Sequence, residues 1–254
     1  MATKHTARLY IDQDLKVGAE LLLDGNPGHY LVNVMRRKMG DPVTLFNGRD
    51  GDWMAEIVKT GKGRAMVVVR QNIAAQVAEP DLWYLFAPIK KARLDYMVEK
   101  ATELGVSLIR PVLTDRTNLD RLKEDKIRLS AIEAAEQCER MTVPQVAPLI
   151  KLTDLLADWP EDRLIMFCDE DGAGDQNCYP VGRAVEEVNA WQGRPDKWAI
   201  LIGPEGGFSD AERALIRALP QVVPVTLGPR ILRADTAAIA AIALWQSFAG
   251  DWRT

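Results

Sequence analysis

From residue 82 onward the chain alternates: apolar, strand-like runs at 82–89, 107–113, 164–168, 198–202 and 222–227 are separated by segments with helical spacing. Short apolar runs of this kind suit strands covered on both faces, and strands alternating with helices form a mostly parallel α/β sheet. That architecture also says where to look for a site. In open parallel sheets, ligands bind beyond the C-terminal ends of the strands.

Two of these runs lead into unusual loops, Gly203-Pro204-Glu205-Gly206-Gly207-Phe208-Ser209 and Leu227-Gly228-Pro229-Arg230-Ile231-Leu232-Arg233-Ala234-Asp235-Thr236-Ala237. Placed at neighbouring strand ends, they would face each other across one crevice. Ser209-Asp210-Ala211-Glu212 reads as a capping box, which gives Ser209 and Glu212 a structural task at a helix start. The glycines of the first loop permit positive φ and close approach of backbone to a ligand.

Neither phosphate-binding pattern fits these loops. The Gly-x-Gly-x-x-Gly spacing is missing, no Gly-Lys-Ser/Thr follows, and Pro204 removes a backbone N–H that an anion would use. This spacing also disfavours a dinucleotide-dependent oxidoreductase. A phosphate-free nucleoside such as S-adenosylmethionine suits them, its adenine held by backbone groups between apolar side chains. Ile231 and Leu232, apolar within a loop and flanked by Arg230 and Arg233, read as a wall of such a pocket.

Other helices follow from spacing. Leu94, Met97, Val98, Ala101 and Leu104 predict a helix over 91–104, stopped by Gly105, and another spans 123–140. Residues 237–245 are apolar on every face, which predicts a helix buried all round with Asp235 as its cap.

The first 70 residues differ. Runs at 8–11, 20–23, 43–46, 53–58 and 65–70, separated by turn clusters, predict five short strands, and 28–39 predicts a short helix with the basic end Arg36-Arg37-Lys38. Five strands and a helix suggest a small barrel, a common nucleic-acid scaffold. The pattern changes across 72–81, so two domains are expected, 1–73 and 74–254. Charge is uneven: residues 1–70 carry a net +3, 71–130 a net +1, and 131–254 a net −8. A phosphate-bearing partner would prefer the N-terminal half, through Arg8, Arg36, Arg37 and Lys38.

Three cysteines, Cys138, Cys168 and Cys178, form no Cys-x-x-Cys pair, and only His5 and His29 accompany them. No metal site is expected, and each thiol reads as buried and inert. The N-terminus lacks a secretory signal and no apolar run is long enough to cross a bilayer, so a cytoplasmic protein without a membrane partner is expected.

The two loops, with His29-Tyr30-Leu31, Val34-Met35-Arg36, Phe46-Asn47-Gly48, Lys91, Glu99-Lys100-Ala101-Thr102-Glu103-Leu104-Gly105-Val106, Pro111, Arg116, Glu133-Ala134-Ala135-Glu136-Gln137 and Arg140, resemble the bacterial ribosomal RNA small-subunit methyltransferase E family of the SPOUT superfamily. One departure is Asp235, where that family usually has Glu. The resemblance implies an α/β trefoil-knot methyltransferase domain after a small PUA-like β-barrel, a homodimer, and S-adenosylmethionine held by both loops. On this sequence the cofactor residues would be Leu201, Ile202, Gly203, Pro204, Glu205, Gly206, Gly207, Leu227, Gly228, Ile231, Leu232 and Thr236. The implied reaction is methylation of N3 of a uridine in small-subunit (16S) ribosomal RNA, with the assembled 30S subunit as the expected substrate.

Uridine N3 carries an imide proton, so the reaction needs a base and donors for the charge that spreads onto O2 and O4. Arg230 and Arg233 are the expected donors and Glu205 the expected base, with Glu136 and Asp235 behind it. Arg116 and Arg140 are expected RNA contacts. The alternative is a non-catalytic RNA-binding or ribosome-assembly factor that retains a nucleoside pocket.

Overall fold

The computed structural model describes residues 6–89, 91–118, 122–169, 178–192 and 195–253. They divide into two compact units, one made by the chain up to Ala78 together with Ala135–Val143, the other by Glu79–Ala134 and the chain from Pro144.

The first unit holds a five-stranded sheet of β1 (Ala7–Tyr10), β2 (Glu20–Leu23), β3 (Pro42–Phe46), β4 (Asp52–Gly61) and β5 (Arg64–Ala74), in the order β1-β3-β4-β5-β2. β1 and β3 run parallel and the remaining pairs antiparallel. Alternating residues turn inward, so Val43, Leu45, Ala55, Ile57, Val67 and Val69 are fully buried. Three register shifts interrupt the β4–β5 pairing, and bulges of this kind bend a long hairpin.

Between β2 and β3, α1 (Gly25–His29) continues into one π-helical turn, Tyr30–Val34. Gly28 is required there because the carbonyls of Leu23 and Gly63 leave no room for a Cβ. The helix expected over 28–39 therefore begins earlier and ends sooner. Arg36 adopts φ +51°, which a right-handed helix cannot continue, so Arg36-Arg37-Lys38 lies in the turn beyond it.

Arg8 joins Ala135–Val143 to this unit. Its Nη1 donates to the Ala135 carbonyl (3.0 Å) and its Nη2 to that of Arg140 (2.9 Å). The guanidinium also pairs with Asp52 at 2.8 Å and stacks 3.7 Å over the Phe46 ring. Beside it, the Tyr10 N–H donates to Glu136 Oε1 (2.9 Å). Arg8, whose side chain is 8% exposed, thus spends its donors within the unit rather than tracking phosphates.

The second unit contains β6 (Asp81–Phe86), α2 (Lys91–Glu103), β7 (Leu108–Leu113), α3 (Glu124–Gln137, whose last turn belongs to the first unit), β8 (Gln145–Val146), β9 (Ile150–Lys151) and α4 (Leu152–Ala157). It continues through β10 (Leu164–Cys168), β11 (Tyr179–Pro180), α5 (Val181–Gln192), β12 (Lys197–Ile202), α6 (Asp210–Arg217), β13 (Val222–Thr226) and α7 (Ala234–Phe248), closing on a 3-10 turn at Asp251–Arg253. Its strands are all parallel, in the order β11-β13-β10-β12-β6-β7-β8, with β9 beside β7. Each of the five predicted runs contributes a strand. β12 is inserted between β6 and β10, two strands that precede it in the chain.

Gly105 ends the turn after α2 with φ +86°, as its C′ position requires. α3 stops at Gln137 rather than 140, and Glu139 turns the chain at φ +61°. α7 departs further from expectation. Ala238, Ala241, Ile242, Trp245 and Gln246 are buried, yet Leu244 and Phe248 are 37% and 38% exposed, so the apolar helix is covered on one face only. Its N-cap residue is Arg233, while Asp235 sits in the first turn and accepts from the Thr236 N–H (2.9 Å).

Candidate active site

β12 ends at Ile202 and the chain turns at once. The Gly207 N–H donates to the Pro204 carbonyl (2.9 Å), and Gly207 takes φ +67°. Gly203 has no Cβ because the Phe208 ring occupies that space, and Phe208 in turn packs edge-on against Phe167 at 5.3 Å. The loop then feeds α6 through the capping box: Ser209 Oγ accepts from the Glu212 N–H (3.2 Å) and Glu212 Oε2 from the Ser209 N–H (2.9 Å).

β13 ends in a second turn, where the Gly228 N–H donates to Thr226 Oγ1 (3.2 Å) and Gly228 takes φ +107°. The two strands are not neighbours as expected, because β10 lies between them. The loops still face one crevice, and the end of β10 supplies its floor with Cys168 and Asp169.

The crevice is a cavity of about 440 Å³. Of the expected cofactor residues, Ile202, Gly203, Pro204, Glu205, Gly207, Leu227, Gly228, Ile231 and Leu232 line it. Leu201 is buried in the core beneath, and Gly206 and Thr236 lie outside the lining. Arg230 and Arg233 line it as well, both exposed, and among the described residues neither meets a carboxylate within 4 Å. Glu205 Oε1 is held by Arg93 Nη1 at 3.1 Å, and Arg93 is itself a lining residue that spacing alone did not single out.

Asp169 and Cys168 were also absent from the expected set. Asp169 is 1% exposed at its side chain and is neutralised by Arg213 (3.2 Å) and Arg217 (2.8 Å). Burial pushes the Cys168 thiol far above its ordinary range, so it stays neutral. The only signal that could have found this pair is strand order, which local sequence does not carry.

The expected RNA contacts separate into three sets. Arg36 and Lys38 are exposed. Arg37 is 6% exposed, and Arg140 Nε bonds Thr142 Oγ1 at 3.1 Å, so with Arg8 they serve packing inside the first unit. Glu136 Oε1 accepts from the Tyr10 N–H within the first unit and is not among the residues that line the crevice. Arg116 Nη1 donates to the Gly206 carbonyl at 2.8 Å. Among the described residues no group of three or more His, Cys, Asp or Glu side chains could hold a metal ion, and no helix is long and apolar enough to cross a membrane.

Residues 77–246 match the family described as RNA methyltransferase domain, and residues 23–70 match the RNA methyltransferase PUA domain. A parallel sheet with a glycine-built crevice at its C-terminal edge, joined to a PUA-like unit, is therefore that of an RNA methyltransferase. The chain is 30% identical to the ribosomal RNA small subunit methyltransferase E of Rickettsia conorii over 93% of each chain, and 28% identical to that of Buchnera aphidicola from Schizaphis graminum over 98% of each. The crystal structure of a ribosomal RNA small subunit methyltransferase E from Neisseria gonorrhoeae, bound to S-adenosyl methionine, superposes with TM-score 0.84 at 27% identity, covering 98% of this chain and 100% of that one. The chain belongs to the ribosomal RNA small subunit methyltransferase E family.

Proposed function

We propose that this enzyme uses S-adenosylmethionine to methylate N3 of a uridine in 16S ribosomal RNA, within the assembled small subunit. The observation that carries this reading is the crevice itself: two glycine-bearing turns face each other, apolar side chains wall the space, and two uncommitted arginines stand at its rim.

The residues present fit the cofactor. A cavity of about 440 Å³ falls within the range of small-ligand sites. Ile202, Leu227, Ile231 and Leu232 offer apolar contact to an adenine, and the turns at Gly203, Gly207 and Gly228 bring backbone polar groups to the same space. When bound, the cofactor supplies an electrophilic methyl group on a sulfonium.

The remaining work falls to side chains. Arg230 and Arg233 stabilise the charge on uridine O2 and O4, on the logic of an oxyanion hole. Glu205, steadied by Arg93, accepts the N3 proton. The walls would hold the acceptor uridine in one orientation, since alignment dominates a displacement of this kind. A uridine must leave its stack to reach the crevice.

The barrel of residues 1–73 binds RNA backbone through Arg36 and Lys38, and residues 74–254 carry the transferase. The placement of β12 between β6 and β10 supports a trefoil threading of the second unit. The half-exposed Leu244 and Phe248 on α7 support a homodimer that covers them. A ribosomal RNA substrate supports a cytoplasmic location.

The test is incubation with labelled S-adenosylmethionine and either free unmodified 16S RNA or unmodified small subunits, followed by nucleoside mass spectrometry. N3-methyluridine from the subunits, and little from free RNA, is the expected result. Cofactor binding with no methylated nucleoside from either substrate would favour a non-catalytic assembly factor.

A further inference from the structure

The turn after β7 is bonded to the loop after β12 and the first turn of α6 at three points. The turn is closed on itself: the Thr117 N–H donates to the Thr114 carbonyl (3.1 Å), and Thr117 Oγ1 accepts from the Thr114 N–H (3.0 Å). From this frame the Asp115 N–H donates to Glu212 Oε1 (2.7 Å), and Asp115 Oδ2 accepts from Ser209 Oγ (2.6 Å). Glu212 is 6% exposed, so its carboxylate serves the capping box with one oxygen and the β7 turn with the other. The third bond runs from Arg116 Nη1 to the Gly206 carbonyl (2.8 Å).

These contacts fall on the segment with the greatest backbone freedom. Gly203, Gly206 and Gly207 would sample many shapes in isolation, and ordering them costs more than ordering other residues. Ser209 and Glu212 already fix the C-terminal end of the loop. Of the described residues of the β7 turn, Arg116 alone reaches the loop's middle, next to the Glu205 side chain that Arg93 holds; its stem also lies over Gly206 at the distance of an ordinary contact, with 3.6 Å to the Cβ position there.

We propose that Arg116 is a positioning residue for the cofactor: it holds the 203–209 loop in its binding shape and makes no phosphate contact with RNA. The proposal rests on the cofactor reading above. A loop ordered in advance spends less binding free energy on closing around its ligand. Loss of the guanidinium therefore weakens cofactor binding even when no RNA is present, which loss of a phosphate contact cannot do.

The test is calorimetric titration of the full chain with S-adenosylmethionine, without RNA, for the wild type, Arg116→Met and Arg116→Lys. Methionine keeps a stem over Gly206 and removes the donors; lysine restores one donor. The expected result is about a three- to tenfold weaker affinity for Arg116→Met, the loss of one hydrogen bond, and recovery to within about twofold for Arg116→Lys. In turnover, the KM for cofactor rises more than kcat falls, and affinity for 16S RNA measured without cofactor stays unchanged. An unchanged cofactor affinity in Arg116→Met, or a fall in RNA affinity alone, overturns the proposal. Absence of cofactor binding by the wild type would instead count against the function proposed above.

Discussion

Arg93 Nη1 lies 3.1 Å from Glu205 Oε1, so the one carboxylate on the first loop is held by a cation from α2 at the lip of the crevice. Both side chains are partly exposed, and the pair adds little stability of its own. Its value is orientation. Glu205→Gln preserves the shape and removes the basic oxygen, so kcat should fall about 100-fold or more while cofactor affinity holds, as read by steady-state kinetics and calorimetry. A kcat within about threefold of the wild type would remove Glu205 from the chemistry.

Arg36 and Lys38 project from the turn that follows α1. Replacing both by alanine should weaken RNA binding and flatten the salt dependence, lowering the slope of log affinity against log salt by about 1.5 for two lost phosphate contacts. Filter binding across a salt series gives the slope. An unchanged slope would place the RNA elsewhere.

Arg8 should behave in the opposite way. Arg8→Met leaves Asp52 and two backbone carbonyls without their donor in a site where the ion pair is 8% and 14% exposed. Breaking a buried pair on one side costs about 3 kcal/mol. Denaturant unfolding should show that loss, and the salt slope of whatever remains folded should match the wild type.

The glycines of the two loops are not equivalent. Gly228, at φ +107°, occupies backbone space that an alanine enters only with strain of about 1–3 kcal/mol. Gly206 has an ordinary φ and room for a methyl group against Arg116. Gly228→Ala should therefore impair cofactor binding strongly and Gly206→Ala weakly, by calorimetric titration. Equal effects would contradict the backbone geometry described for the second loop.

The thiols differ in the same testable way. Cys138 is exposed, contrary to the expectation of three buried thiols, while Cys178 is buried and the Cys168 thiol is pushed upward by desolvation. A group whose pKa is raised stays protonated as pH climbs, so Cys168 should remain unlabelled by maleimide at pH 8 and 9. Mass spectrometry of the native protein should find label on Cys138 and, after denaturation, on the other two. Rapid native labelling of Cys168 would mean that the crevice floor is open.

Much of this was legible in local sequence. The five apolar runs became five adjacent parallel strands, and Ser209 with Glu212 formed the capping box that their spacing announces. Nine of the twelve cofactor residues that the family resemblance implies line the crevice, and the glycines and apolar residues of the two loops advertise a pocket there locally. What failed to show depends on partners distant in the chain. Arg8, Glu136 and Arg140 look like surface charges until the fold brings 135–143 against β1. Asp169 enters the site only because β10 stands between β12 and β13, and periodicity within a strand does not specify its neighbours. α7 read as wholly buried since hydropathy records what a face prefers and not whether this chain alone covers it.

The first unit is assembled from two separate stretches, with Ala135–Val143 arriving after β6, α2 and β7. During synthesis the barrel therefore waits, its Arg8 clasp unfilled, until the ribosome has released residues beyond Val143. A nascent chain arrested anywhere before that point would carry all five barrel strands and still lack the piece that locks them. Birth order thus couples completion of the first unit to progress through the second.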